Sequence, residues 1–310
     1  MRALVTGAAG FVGRYLVDAL RTAGDSVVAC GGPTATAMLP IDLAEATSLR
    51  GALDIAQPDV VFHLAAQTFV PQSLENPLAT YETNVIGTAR LALVIHDYAT
   101  ATGRMPRLFF ASSAEVYGAQ PDDAFPLRET ATPQPANPYA ASKLAAEEIL
   151  LAHARSFDID VVIARAFNHI GAGQDERFVV ANFAAQLARL ASQPGTPLYV
   201  GNLDARRDFL DVRDVVAAYI ALARDGERSQ TYNVCSGVAR TIREVLGELI
   251  VAAHVPVEVR DDPARMRPAD VPLFIGCNAK LQARTGWQPR IPFSRSLRDI
   301  YEAARSTVAP

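Results

Sequence analysis

The sequence holds no run of eighteen apolar residues, so no membrane-spanning helix is expected. Cysteine is scarce. Cys30, Cys235 and Cys277 stand far apart with no C-x-x-C pair, which leaves neither a disulfide framework nor a zinc ligand set; no metal is expected. Charge of one sign is not in excess. Lys and Arg total 29 and Asp and Glu 33, a formal net charge of −4. That balance speaks against a protein that coats nucleic acid. Internal repeats and low-complexity tracts are also missing. The first ten residues carry one Arg and then a Gly-broken strand pattern, unlike a signal peptide. A soluble, cytoplasmic setting is expected.

What is present is a chain of 310 residues, half of them apolar and a fifth charged, enough to bury a sizeable core. Short apolar runs alternate with amphipathic ones. Strands are expected at 2–6, 26–30, 41–43, 60–64, 107–112 and 160–165. Helices are expected from about 13 to 22, at 47–56, at 78–100 and at 138–156. This alternation predicts an α/β protein with a doubly wound parallel sheet covered on both faces. Beyond 165 the pattern loosens into helices at 179–193, 211–223 and 242–253, with strands at 198–200 and 231–234. From 256 onward prolines recur and the elements look short. The expected division is a dinucleotide-binding domain of 1–165 plus 209–236, and a smaller C-terminal α/β substrate-binding cap of 166–208 plus 237–310. Trp287 reads as an anchor of the cap core.

The first strand runs directly into Gly7-Ala8-Ala9-Gly10-Phe11-Val12-Gly13, a G-x-x-G-x-x-G spacing. The first Gly permits a tight turn, the second lets backbone approach a pyrophosphate, and the third lets helix and strand pack closely. The helix that follows offers free N–H groups and the positive end of its dipole. A Gly-rich turn with no ligand would carry the same letters, but placement between strand and helix favours a dinucleotide. The acid that reads an adenosine ribose is missing: the second strand ends Cys30-Gly31-Gly32-Pro33. No cation stands there either. Without the repelling carboxylate the expectation leans to NADPH, with NADH as the other choice. Asp42 is placed either to accept from an adenine amine or to cap a turn.

Tyr139-Ala140-Ala141-Ser142-Lys143 puts a phenol and an ammonium on one helical face. Such a Lys is expected to lower the phenol pKa so that it exchanges protons near neutrality. Ser112-Ser113-Ala114-Glu115 lies at the C-terminal end of a strand, where open α/β sheets bind ligands. A lone Y-x-x-x-K is common by chance; the Gly loop, strand-end Ser and Tyr–Lys pair in this order form a specific set.

These segments, together with His63-Leu64-Ala65-Ala66-Gln67 and Thr83-Asn84-Val85-Ile86-Gly87-Thr88, resemble the extended short-chain dehydrogenase/reductase family. The resemblance implies a Rossmann-type fold, a nicotinamide dinucleotide and a nucleotide-linked sugar. It implies Tyr139 as acid/base, Lys143 as its modulator and Ser113 as the catalytic Ser, with Ser112 as the competing choice. The cofactor would lie on Gly7, Gly10, Phe11, Val12, Gly13, Asp42, Leu43, Leu64, Ala65 and Ala66, besides Tyr139 and Lys143. Helices 78–100 and 138–156 would form a homodimer interface.

The second half carries Arg165-Ala166-Phe167-Asn168-His169, Gly201 to Phe209, Asn233-Val234-Cys235-Ser236-Gly237 and Arg267-Pro268-Ala269-Asp270. This set resembles the branch of the family acting on GDP-linked 6-deoxyhexoses. It implies reduction of the 4-keto group of GDP-4-keto-6-deoxy-D-mannose to GDP-D-rhamnose. Gln67, Ser113, Glu115, Asn168, Val179, Asn182, Arg207, Arg267 and Asp270 would contact the substrate. Arg207 and Arg267 suit the two phosphate charges, although Arg207–Asp208 and Arg267–Asp270 would also make ordinary surface pairs. A 4,6-dehydratase, a 4-epimerase and a reductase of a GDP-heptose analogue are the alternatives. Dehydratases need an acid/base pair just after the catalytic Ser, and here Ala114 fills the first of those positions. His63, Tyr117 and His169 read as packed structural residues.

Overall fold

The computed structural model describes residues 1–192, 195–265 and 271–308. The chain begins with β1 (Arg2–Thr6), α1 (Phe11–Thr22), β2 (Ser26–Gly31), β3 (Leu39–Pro40), α2 (Ala46–Ala56) and β4 (Val60–His63). Helices α3 (Val70–Glu75), α4 (Pro77–Tyr81) and α5 (Gly87–Thr102) lead to β5 (Arg107–Ser113), α6 (Pro138–Ser156) and β6 (Val161–Ala166). There follow β7 (Asn168–Ile170), α7 (Val179–Ser192), β8 (Leu198–Val200), β9 (Arg206–Asp211), α8 (Val212–Asp225) and β10 (Gln230–Val234). The last elements are β11 (Ala239–Thr241), α9 (Ile242–Ala253), β12 (Val259–Asp261), β13 (Leu273–Phe274), α10 (Ala279–Thr285) and α11 (Phe293–Val308).

Seven strands form one parallel sheet in the order β10-β6-β5-β4-β1-β2-β3. The order reverses direction at β1 and β4, the switch point where such sheets bind ligands. The register pairs Thr6 with His63 and Ser113 with Ala166. The Gly loop, the segment after β4 and the Ser pair therefore leave the sheet at one edge. Both faces are covered, as the apolar strand runs require. Leu16, Leu20, Val215 and Leu222 of α1 and α8 pack on one face, and Leu53, Leu91, Ala146 and Leu150 of α2, α5 and α6 on the other. This is the expected α/β class with a Rossmann-type doubly wound sheet.

A second cluster gathers Phe183 and Leu187 of α7, Leu246 and Leu249 of α9, and Leu297 and Ile300 of α11. Beside it lies a small sheet in the order β11-β9-β13, with β7 also paired to β9. Segment 211–235 returns to the main sheet through α8 and β10, as expected.

Several expectations are corrected. The third strand lies at Leu39–Pro40, not 41–43. Ile41 N still donates to Gly31 O, but the Asp42 carboxylate then takes Ala44 N and turns the chain away. The helix expected at 78–100 is broken by a π-helical turn over Glu82–Ile86, which faces the Asn84 side chain inward. The Pro-interrupted stretch after 256 contains α11, a 16-residue amphipathic helix the prolines obscured. Trp287 does not anchor the cap. It packs with Leu281 into the core of the large sheet, and its Nε1 donates to Asp214 O at 3.1 Å. The cap range 237–310 therefore overreaches around α10, whose Leu281 belongs to the large sheet's core.

Candidate active site

The Gly loop is as tight as its spacing requires. Gly7 has φ +69°, and a Cβ there would lie 2.7 Å from Ala65 N. A Cβ on Gly13 would lie 2.2 Å from Gly7 O, inside any tolerable contact. Gly10 caps α1 with no side-chain bond. Bare backbone and a helix N-terminus thus share one concave turn, the chemistry a pyrophosphate needs. Beside it run Leu64, Ala65 and Ala66, all half-buried. Phe11 stacks on His169 with ring centroids 6.0 Å apart, and Tyr15 Oη donates to Ala172 O at 2.8 Å. Val12 is half-buried. The loop and the segment after β6 are therefore one wall. His169 is packed, with Nδ1 3.1 Å from Phe167 O and burial lowering its pKa.

Asp42 Oδ1 accepts from Ala44 N at 2.8 Å, the bond a turn residue makes. Leu43 lies against Gly87 and packs on the core beneath α2 and α5.

His63 sits under this edge. Its Nδ1 and Nε2 lie 2.8 and 2.9 Å from Thr6 Oγ1 and Thr88 Oγ1. Burial, and then the Lys143 charge, push it down to about 3. A proton added to the unfolded chain near its ordinary pKa of 6.5 is thus refused by the folded one. Stability is fully present above 6.5 and is lost as pH falls toward 3. The stability gap between the wild type and His63→Gln is expected to narrow by about 1.4 kcal/mol per pH unit below 6. Denaturant unfolding at pH 7, 6 and 5 measures this, and a constant gap would refute it.

At the end of β5 the two serines separate. Ser112 Oγ donates to Glu147, which also takes Arg165. Ser113 instead accepts from Glu115 N at 3.2 Å, and its side chain acts on the Tyr139 hydroxyl. Ser113 is therefore the one facing the phenol. Tyr139 is buried, and burial pushes it up to about 12 against the lowering effect of Ser113. The expectation that Lys143 depresses this phenol is corrected. Desolvation dominates, and the Lys143 ammonium is held on Ala111 O at 2.7 Å. Burial therefore keeps the phenol neutral through the physiological range. Lys143 itself is pushed down to about 8, mainly by burial.

The sequence reading missed the residues that hold this helix. Asn137 caps α6 by accepting from Ala140 N, and its Nδ2 reaches Glu115 Oε2 at 3.4 Å. Ser73 Oγ accepts from Tyr139 N at 3.2 Å. Asn84, on the π turn, accepts from Gln67 N and donates to Gln67 O and Ser142 Oγ. It ties the segment after β4 to the turn of α6 that carries Tyr139. Gln67 Oε1 is buried with no partner among the described residues, a polar atom left for a ligand. The one available signal was Asn137 before Pro138, a helix-start pattern.

The cap side is looser. Asn168 begins β7 beside β9. Val179 is exposed at the start of α7. Asn182 Oδ1 accepts from Arg265 Nη1 at 2.8 Å, so Arg265 is a cap guanidinium the sequence reading did not single out. Arg207 Nη1 donates to Val271 O at 2.6 Å. Asp208 is buried and takes the Ser236 and Gly237 N–H groups. Arg267 and Asp270 lie outside the described residues. No group of three His, Cys, Asp or Glu side chains among the described residues could hold a metal.

A switch-point Gly loop, a strand-end Ser and a Tyr-x-x-x-Lys helix define the extended short-chain dehydrogenase/reductase class. Within it the chain belongs to the GDP-mannose 4,6 dehydratase family, whose model matches residues 4–300. It is 41% identical over 99% of its length to GDP-6-deoxy-D-mannose reductase of Pseudomonas aeruginosa, covering 98% of that protein. It is 32% identical to GDP-6-deoxy-D-talose 4-dehydrogenase of Aggregatibacter actinomycetemcomitans, covering 91% of this chain and 90% of that one. Among solved structures, RMD from Pseudomonas aeruginosa complexed with NADPH superposes with a TM-score of 0.89 at 38% identity, over 99% of this chain and all of that one.

Proposed function

We propose that the chain reduces the 4-keto group of GDP-4-keto-6-deoxy-D-mannose with NADPH, giving GDP-D-rhamnose. The observation that carries this is the Tyr139 phenol, buried and kept neutral beside Ser113 at the switch-point edge. A neutral phenol suits a group that gives a proton to a developing alkoxide. The reductase and NADPH complex among the relatives support the same reading. The Gly loop fits the dinucleotide because a Cβ at Gly7 or Gly13 would fill the space its backbone leaves. Gly7, Gly10, Phe11, Val12 and Gly13 would hold its phosphates, with Leu64, Ala65 and Ala66 alongside, and Asp42 and Leu43 toward the adenine. Bound there, NADPH supplies the two reducing electrons.

The protein's own part is binding, orientation and one proton. Tyr139 donates its phenolic proton to the C4 oxygen, and Ser113 Oγ donates a hydrogen bond to the same oxygen. Lys143 holds the nicotinamide ribose and stabilises the phenolate that remains. Gln67, Glu115, Asn168, Val179 and Asn182 contact the sugar and nucleotide. Arg207 and Arg267 meet the diphosphate, and Asp270 a ribose hydroxyl. Ala114 has no proton to transfer, which sets the chain apart from a dehydratase. We also propose a cytoplasmic homodimer built on the α4–α5 stretch and α6, where Leu78, Ile86 and Leu93 are exposed; a solution mass of one chain would overturn it. None of the described helices is long and apolar enough to cross a membrane.

The test supplies freshly made GDP-4-keto-6-deoxy-D-mannose with NADPH or NADH, follows nicotinamide absorbance, and assigns the product by NMR. Consumption of added NADPH with formation of the C4 alcohol is expected. Turnover without net NADPH loss would make the chain an epimerase. Loss of water from GDP-mannose would make it a dehydratase.

A further inference from the structure

A second set of buried charges lies directly behind the Tyr–Lys pair. Glu147 is 1% exposed and Arg165 6%. Arg165 Nη2 meets Glu147 Oε2 at 2.6 Å, and Nε lies 3.1 Å from both carboxylate oxygens. Ser112 Oγ donates to the same carboxylate. The Arg165 guanidinium also stacks over the Tyr117 ring at 4.8 Å. Ser112 and Arg165 are register partners across β5 and β6, so two strands fix what one helix presents. Lys143 stands one turn before Glu147 on the buried face of α6. Its Nζ donates to Ala111 O, the residue just before Ser112.

We propose that Glu147, clamped by Arg165 and Ser112, is a positioning residue whose fixed charge keeps the Lys143 ammonium protonated and on its perch. The inference rests on the roles of Tyr139 and Lys143 proposed above. A buried ion pair gains little stability over apolar side chains of similar volume, so its placement beside Lys143 matters more than its strength. The groups facing Lys143 are few. From β4 comes His63, neutral at physiological pH. From β5 comes the Phe110 ring, 4.8 Å from Nζ. From α6 come Tyr139 and Glu147, with Arg165 of β6 behind the latter. Burial pulls the ammonium toward neutrality, and Glu147 is the charge that opposes it. Tyr117 is pushed up to about 12 by burial and adds no charge.

The sequence makes the test direct, because it contains two lysines, Lys143 and Lys280. Labelling lysine at the ε position gives two NMR signals whose titration is read in the cofactor-free protein. In Glu147→Gln the Lys143 midpoint is expected to fall by about one pH unit, a tenfold change. In Arg165→Met, which frees the carboxylate of its counter-charge, it is expected to rise. In the double variant the midpoint is expected to fall by less than in Glu147→Gln, because the more distant counter-charge is removed with the carboxylate. A purely structural role predicts the double variant to be the most disturbed. Lys280 must not move in Glu147→Gln, whereas in Arg165→Met it is expected to rise slightly, because the Arg165 charge also acts on it. If Glu147→Gln does not fold, Arg165→Met carries the opposite sign and decides alone. A Lys143 midpoint unchanged in either single variant, or shifted the same way in both, overturns the proposal. Because the titration uses neither substrate nor NADPH, its result stands apart from the reductase assay. In the active enzyme, the alkaline limb of kcat should follow the Lys143 midpoint.

Discussion

Replacing Tyr139 with Phe is expected to lower kcat by about 10²–10⁴-fold, the usual weight of a positioned general acid. The ring stays and fills the same buried volume, so the fold should be kept. The hydroxyl lost stands beside Ser113, which retains Glu115 N. Tyr139 N is still received by Ser73, and Asn137 still caps α6. NADPH affinity should change by no more than a few-fold, because the Gly loop and Lys143 are untouched. The loss therefore appears in kcat and not in KM, as expected for a group acting in the transition state. Stopped-flow or steady-state oxidation of NADPH, with cofactor fluorescence as the binding control, makes the measurement. A variant within tenfold of the wild-type kcat would remove Tyr139 from the proton path. The pH profile adds a second constraint. With the phenol pushed up to about 12, the donor stays protonated through the working range. Activity lost on the alkaline side then belongs to Lys143, pushed down to about 8.

Much of this was legible in the letters, and the reason is local. Strands of a parallel sheet are buried on both faces and write themselves as short apolar runs, so β1, β4, β5 and β6 appear within two residues of their expected ends. The Pro138–Ser156 helix is announced by Asn137 and Pro138 and is found at those bounds. The Gly loop is legible because its spacing encodes a contact: Gly13 is Gly for the sake of Gly7 O. The resemblance pointed to Ser113 over Ser112, but the physical reason was not legible. It depends on which of two adjacent side chains the pleat turns toward α6, and Glu147 claims Ser112 only in three dimensions. The state of Tyr139 was misread for a similar reason. Spacing places a Lys near a Tyr, but burial sets the larger effect on the phenol, and burial is a property of the folded edge. The π turn at Glu82–Ile86 has no composition signature, yet it delivers Asn84 to Gln67 and Ser142. In the cap, strands of two to six residues pair across long sequence separations, as β13 does with β9. Such pairs carry too little periodicity to be read one segment at a time.

Gly13→Ala is expected to cost NADPH binding at least about a hundredfold, or about 2.7 kcal/mol. The added methyl would stand 2.2 Å from Gly7 O and 2.8 Å from Ala8 Cα. Both obstacles are backbone, so no side chain can swing aside. Either α1 moves off β1 or the Gly7 turn opens, and both displace the N–H groups proposed to hold the phosphates. The rest of the helix is well secured: Leu16, Val17 and Leu20 are buried against the sheet, and Tyr15 is tied to Ala172 O. The strain therefore falls on the loop, where partners are fewest, and not on the core. Gly51→Ala in α2 is the matching control. It meets nothing within 4 Å, and an Ala in a helix interior is favoured over Gly by about 0.5–1 kcal/mol. That variant should bind NADPH as the wild type does and melt slightly higher. Cofactor fluorescence titration and thermal unfolding of the two variants side by side separate the loop from general glycine effects. If Gly13→Ala bound NADPH within a few-fold of wild type, the dinucleotide would not lie on this turn, and the assignment of Gly7, Gly10 and Gly13 as its phosphate cradle would fall with it.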